Sequence, residues 1–335
     1  MAEAIKFGYL LGFRNPPGAN LDFHTLYSEL FRQAEFADRA GFDSIWLTEH
    51  HFTDDGYLAA LMPTLGALAA RTIRVALGTY VLLAPFYHPL RLAEDTAAID
   101  VISGGRLRLG IGLGYRAEEF GGFQVPRAER LGRTLETIEI LKRAWTGERF
   151  SFAGKYFQFR DVRVLPRPLS RPHPQLLWGG MAPKAIERGA ELDLSFACNL
   201  GQREAALYRA ALRKRGKDPA AYDIVNSRTV YIADSADQAW ADIERPALYQ
   251  AELYAKWLSE ATGGRQTWIK PEPEKVRRTC VLGTAKEVTA QLAAIVGTGQ
   301  MSELIVAMQL PGLAPAKAMR SLERFATEVL PALHR

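Results

Sequence analysis

The residues Trp46-Leu-Thr-Glu-His-His-Phe-Thr-Asp-Asp-Gly56 set two histidines beside Glu49 in a chain with six histidines in all. Imidazole titrates near neutrality, so one of the pair can donate or accept a proton at physiological pH. Neighbouring side chains on a strand point to opposite faces, so His50 and His51 are not expected to face one ligand together. The competing reading is structural, a histidine satisfied by the adjacent glutamate. A zinc or iron centre needs several converging ligands. His24, His88, His173 and His334 have no helical or hairpin pairing that would supply them, so no metal is expected.

Two glycine clusters are the other candidates. Gly110-Ile-Gly-Leu-Gly-Tyr115 removes side chains at alternate positions. That makes room either for a flat ligand against the backbone or for tight packing in a core. Trp178-Gly-Gly-Met-Ala-Pro-Lys184 leads into a helix with Pro183 in its first turn. Free N–H groups there, with Lys184 close by, can seat a phosphate, although a plain loop has the same composition. Between the two, Gly78-Thr-Tyr-Val-Leu-Leu-Ala-Pro85 is apolar throughout, as a strand buried on both faces should be.

The elements that must position these residues alternate regularly. Strands are predicted at residues 5–11, 44–47, 75–83, 107–113, 175–178, 194–199, 224–233 and 304–308. Each precedes a helical pattern, as in 23–40, where Leu26, Leu30, Ala34 and Ala37 repeat at helical spacing and Gly41 can end the helix. The others are 57–70, 90–102, 128–145, from Pro183, 204–215, from Asp237, 285–296 and 315–330. Strict alternation implies parallel strands with right-handed crossovers, and eight repeats fit a closed α/β (β/α)8 TIM barrel in one domain spanning residues 1–335. No Gly-x-Gly-x-x-Gly follows the first strand, which argues against a doubly wound sheet. Insertions are expected after strands 4 and 7. Residues 148–174 carry hairpin chemistry at Ala153-Gly154-Lys155 and then four prolines, and the polar, turn-rich stretch 258–278 is a candidate mobile lid. In such barrels chemistry sits at the C-terminal strand ends, where the histidines and both glycine clusters fall.

Composition narrows the partners. The 335 residues are 48% hydrophobic and carry a formal charge of +5 without a basic arm or a run of five like charges, so nucleic acid is not an expected partner. Two cysteines, Cys198 and Cys280, cannot form a disulfide framework or a Cys-x-x-Cys zinc site. The first residues read as a strand and not a signal peptide, and Tyr57 to Ala70, broken by Pro63, is too short to span a membrane. A cytoplasmic protein without a membrane association is expected.

Taken jointly, the segments resemble the bacterial luciferase-like family of flavin-dependent oxidoreductases. The resemblance rests on Ala40-Gly-Phe-Asp-Ser-Ile-Trp-Leu-Thr-Glu-His-His-Phe-Thr53, Leu77-Gly-Thr79 and His88-Pro-Leu-Arg-Leu-Ala-Glu-Asp95. Ile102-Ser-Gly-Gly-Arg-Leu-Arg-Leu-Gly-Ile-Gly-Leu-Gly114, Trp178-Gly-Gly180 and, in the tail, Leu282-Gly-Thr284 follow in family order. It implies reduced FMN across the barrel mouth, with its phosphate at Gly179, Gly180, Met181 and Ala182. Its ring would lie over the third and fourth strands, near Glu49, Tyr80, Val81, Gly112, Gly114 and Tyr115. A non-proline cis peptide at Tyr80–Val81 is expected beside the ring, and His50 is the expected catalytic residue. The chain departs from the luciferase pattern at Gly112, where a cysteine is usual, and at Leu113, where a phosphate-binding arginine is usual. Arg116 or Lys184 would have to substitute, and light emission is not the expected activity.

The resemblance implies a monooxygenase in which reduced FMN and O2 give a C4a-(hydro)peroxide that oxygenates a small, partly apolar organic substrate. Leu82, Phe86 and Tyr115 would exclude water, and His50 would control the proton. Without a pyridine-nucleotide fingerprint, a separate NAD(P)H:flavin reductase is the expected source of reduced flavin. Two alternatives are a hydride-transfer enzyme using a deazaflavin coenzyme and a non-catalytic flavin-binding or partner subunit. A homodimer through the helices after the second and third strands is also implied, for which Leu61, Leu65, Leu68 and Ala69 offer apolar side chains. The loop Arg14-Asn15-Pro16-Pro17-Gly18 should shape the substrate pocket.

Overall fold

The computed structural model describes residues 5–19, 21–197, 199, 201–262 and 269–334. Its strands are β1 (Lys6–Leu10), β2 (Ser44–Leu47), β3 (Ala76–Leu83), β4 (Leu107–Gly112), β5 (Phe150–Ala153), β6 (Gln158–Val162), β7 (Gln175–Trp178), β8 (Ser195–Ala197), β9 (Ile224–Ile232), β10 (Val281–Gly283) and β11 (Glu303–Ala307). The barrel is formed by β1, β2, β3, β4, β7, β8, β9 and β11, parallel throughout, with β11 pairing back onto β1. These are the eight predicted strands. The antiparallel β5–β6 hairpin falls in the insertion at 148–174, and β10 adds a short parallel pairing along β9.

Local chemistry explains the helix ends. Asp22 caps the helix Phe23–Ala40 by accepting from Thr25 N, and Gly41 closes it at φ 99°, a left-handed conformation that glycine adopts without a Cβ penalty. Thr284 and Glu287 form a reciprocal capping box at the start of Ala285–Val296. The predicted helix at 57–70 begins only at Leu61 and ends at Arg71. Its Leu61, Leu65, Leu68 and Ala69 are buried within the chain's own core, so they offer no surface to a second copy. Two further differences bear on the site. A short helix, Ala117–Gly122, follows β4, and the helix after β9 runs without a break from Ala236 to Ala261. Of the candidate lid at 258–278, residues 258–261 belong to that long helix, 273–278 fall in the helix Pro273–Thr279, and 263–268 lie outside the described residues.

The barrel interior is filled from below. Glu303, Ser44, Gln175 and Ser195 open their strands, and Arg108 is the second residue of β4, so they share the N-terminal end. Arg108 pairs with Glu303 and, at 2.9 Å, with Asp223, and its guanidinium lies 4.8 Å from the Trp46 ring centroid. Trp46 Nε1 donates to Glu303 Oε1 at 2.7 Å. The indole fills the centre because Gly8 and Gly78 make way for it; a Cβ on Gly78 would stand 2.3 Å from the ring. Above it Tyr80 and Val81 pack with Leu177, Ala197, Val225 and Ile305. The floor is therefore a satisfied structural network, and chemistry is left to the opposite rim.

Candidate active site

His50 follows β2 at that rim and is buried. Its Nδ1 lies 2.8 Å from Oε1 of Glu119, a carboxylate in the first turn of Ala117–Gly122. An ionised carboxylate only accepts, so Nδ1 carries the proton of this contact and Nε2 is the ring nitrogen left to take or give one. Nε2 itself lies 3.4 Å from the Tyr115 hydroxyl. Burial pushes the Glu119 carboxyl up, but the hydrogen bond and charge of His50, the N–H of His51 and the Arg116 guanidinium outweigh it and hold it below the ordinary range. Its Oε2 is buried without a hydrogen-bond partner among the described residues.

His51 turns away, as the alternation argument expects. Its Nε2 meets Glu49 Oε1 at 2.8 Å. Glu49 also accepts from Leu83 N at 2.7 Å and from the Tyr87 hydroxyl at 2.8 Å, so it ties the end of β2 to the end of β3. Expected at the cofactor, Glu49 has both oxygens committed to this clasp. The structural reading of a histidine beside a glutamate thus describes His51, while His50 has a different partner.

Aromatic rings wall His50 in. Tyr57 and Tyr115 lie edge to face with it at centroid distances of 4.9 and 5.5 Å, and Trp257 lies at 4.7 Å. Tyr254 and Trp257 share one face of the helix Ala236–Ala261, three residues apart, and bring it down over the rim. Phe86 stacks on Phe123 and packs with Phe120 and His51 on the other side. Leu82, expected as a wall, is wholly inside the core.

The peptide Tyr80–Val81 is cis, as the motif resemblance leads one to expect. Tyr80 reaches across the mouth, its hydroxyl donating to Asn199 Oδ1 at 3.1 Å. Val81 occupies the space left by the glycines of β4 and of the loop after β7. A Cβ on Gly112 would meet Val81 Cγ2 at 2.5 Å, and one on Gly179 would meet Cγ1 at 3.0 Å. Of the two meanings of alternate glycines, packing therefore accounts for the side of Gly112 where a Cβ would stand. Gly114 has φ 68° and turns the chain toward Tyr115.

Gly179 and Gly180 lead to the helix Pro183–Glu191, whose N-cap residue Ala182 has no capping side chain. Met181, Ala182 and Lys184 are exposed there. Beneath them the indole Nε1 of the buried Trp178 has no partner among the described residues and would lie 3.8 Å from a Cβ on Gly180. An uncapped helix start, a spare buried donor and a lysine suit a phosphate ester. Arg116, the other substitute considered, is not available: it is buried against His51 O at 2.6 Å, Glu118 and Glu119, over the Trp257 ring.

Sequence reasoning missed Glu119, Tyr254 and Trp257. Glu119 stands 69 residues from His50, a separation without a signature, and its short helix ends in Gly121-Gly122, which reads as a turn. Among the described residues no group of three or more potential ligands is placed to hold a metal ion, and no helix is long and apolar enough to cross a membrane.

A family model described as luciferase-like monooxygenase matches residues 5–301. The chain belongs to this family. A curated relative of this luciferase-like chain is the oxygenase component of flavin-dependent trigonelline monooxygenase from Acinetobacter baylyi, 29% identical over 332 residues, which cover 92% of this chain and 90% of the relative. An F420-dependent glucose-6-phosphate dehydrogenase from Microbacterium testaceum is 37% identical over 175 residues, half of this chain (50%) and 49% of that one. Among solved structures, monooxygenase RslO1 from Streptomyces bottropensis superposes with a TM-score of 0.84 at 29% identity, covering 98% of this chain and 99% of that one.

Proposed function

We propose that this luciferase-like chain is the oxygenase of a two-component monooxygenase that uses reduced FMN and O2 on a small, partly apolar organic substrate, with a separate NAD(P)H:flavin reductase as its partner. The observation that carries the reading is the buried His50–Glu119 pair, set at the strand ends above Tyr80 and Val81 with His50 Nε2 free of a protein carboxylate. A silent flavin-binding subunit would have no use for it.

When bound, reduced FMN supplies the electrons that activate dioxygen. The residues present suit that group. The helix start at Ala182, Lys184 and the spare Trp178 donor would hold its phosphate, and Tyr80, Val81, Gly114 and Tyr115 would face its ring. Tyr57, Tyr254 and Trp257 exclude water around the imidazole, which strengthens every polar contact within. His50 then holds or gives a proton at Nε2, while Glu119 fixes the opposite nitrogen as a donor.

The test mixes the purified chain and anaerobically reduced FMN with oxygenated buffer and follows flavin absorbance. Reoxidation slower than that of free flavin is expected, with His50→Ala bringing it back toward the free rate. Reoxidation at the free rate, together with tight binding of a deazaflavin in place of FMN, would overturn the proposal. It would favour the second reading, hydride transfer, for which the half-chain identity to the F420-dependent dehydrogenase speaks.

A further inference from the structure

Arg14 lies four residues beyond β1, at the same rim as His50, and only 4% of it is exposed. Its Nε donates to Asp55 Oδ2 at 2.7 Å. Its Nη1 has a long contact, 3.4 Å, with Gln250 Oε1, the Tyr249 hydroxyl stands against both Arg14 and Asp55, and Nη2 makes no hydrogen bond of good geometry among the described residues. Asp55 is itself held by its own loop, accepting from Tyr57 N at 3.2 Å, so it stays on the Nε edge. A buried guanidinium with an unused donor is costly, because the group has left water without a replacement.

The edge left over is the Nη1–Nη2 pair, whose parallel N–H bonds match the two oxygens of one carboxylate. Around it stand three rings: Tyr57, Tyr249 and Tyr254, with centroids 4.6, 5.6 and 6.0 Å from the guanidinium carbon. Two of these rings also border His50, Tyr57 at 4.9 Å and Tyr254 at 6.1 Å. A molecule anchored at Arg14 therefore shares its walls with the imidazole. Gln250, which lies against Nη1 from the long helix, is only half-buried, so this edge of the buried fork is reached past that side chain.

We infer that Arg14 is the seat for the carboxylate of a flat, ring-bearing organic acid, which names the substrate class and rests on the monooxygenase reading above. The Arg14–Asp55 pair is neutral as it stands, so a carboxylate adds one buried negative charge where a phosphate dianion would add two, which favours the monoanion of the two. The tyrosine rings add the flat apolar surface that an aromatic or otherwise planar acid needs.

Replacing Arg14 would strand the buried Asp55, so the decisive variants are at Gln250. Benzoate and its neutral counterpart benzamide are titrated into the full chain by calorimetry, with FMN titrated in parallel. Benzoate should bind at least about tenfold tighter than benzamide, as a charge-assisted pair implies. Gln250→Glu sets a tethered carboxylate against Nη1 and should erase that preference, whereas Gln250→Ala should keep it. Equal affinity for the two probes, no benzoate binding, or a preference unchanged in Gln250→Glu would overturn the seat. A chain that binds benzoate but not FMN would overturn the flavin reading alone, and one that binds FMN but not benzoate would overturn only the seat.

Discussion

His50 Nδ1 and Glu119 Oε1 lie 2.8 Å apart although 69 residues separate them in the chain. The contact exists because β2 and β4 end on the same rim and the short helix Ala117–Gly122 folds back across it. A positioned proton donor typically contributes about 10²–10⁴-fold, so His50→Ala should lower the rate of substrate oxygenation by that order. Glu119→Gln keeps an oxygen for Nδ1 but removes the charge and should cost less. In the double variant, the Glu119 substitution should add almost nothing to the loss from His50→Ala, because each acts through the same imidazole. Rates of coupled product formation for the four proteins check this, with FMN affinity as the control that should stay unchanged.

Val81 and the glycines opposite it give a second prediction. Gly112→Ala sets a methyl 2.5 Å from Val81 Cγ2, a side-chain atom. Overpacking of this kind costs about 1–3 kcal/mol. Val81→Ala in the same chain should restore most of that stability. Gly110→Ala should not be rescued, because its methyl would meet the backbone oxygen of Thr79 at 2.2 Å. Urea unfolding of the single and double variants reads the difference.

These two sites show which features the sequence carries. Parallel barrel strands are buried on both faces, so each reads as an apolar run bounded by turns, and all eight were legible for that reason. His50 was legible because adjacent histidines are uncommon in this chain. The role of its neighbour was not, since Glu49 and Glu119 are both carboxylates near the rim and only the fold decides which one reaches Nδ1. Tyr254 and Trp257 were hidden in an amphipathic helix whose burial pattern has the same spacing whether it covers a core or a site. Gly112 admitted two meanings, and the choice between them depended on where Val81 lies, which no residue spacing encodes.

A third prediction concerns acid stability. Asp38, near the end of the helix Phe23–Ala40, accepts from the N–H groups of Ile73, Arg74 and Val75 at 2.9, 2.9 and 2.8 Å, anchoring the approach to β3. Burial pushes its carboxyl up, but the three N–H groups and Arg106 hold it below the usual range. A folded pKa below the unfolded value of about 3.9 means the contribution is complete above that value and is lost as pH falls through the folded one. Asp38→Asn should therefore be less stable than the parent near pH 7, and the gap should close as the pH drops toward about 3. Urea midpoints at the two pH values test it; a gap that widens in acid would reverse the sign and refute the assignment.

The last prediction separates the phosphate seat from the ring site. Lys184 is exposed in the first turn of Pro183–Glu191, next to the uncapped Ala182, while Arg116 is tied up at His51 and Glu119. If the lysine answers a phosphate, Lys184→Gln should weaken FMN by about two- to fivefold, the scale of an exposed charge near a helix start. Riboflavin has the same ring without the phosphate, so its affinity should not change. Raising the salt should shrink the FMN effect, since an exposed pair is screened. Equal weakening of both flavins would mean that Lys184 shapes the loop and does not meet the phosphate. The helix start and the spare Trp178 donor would then have to carry that group without it.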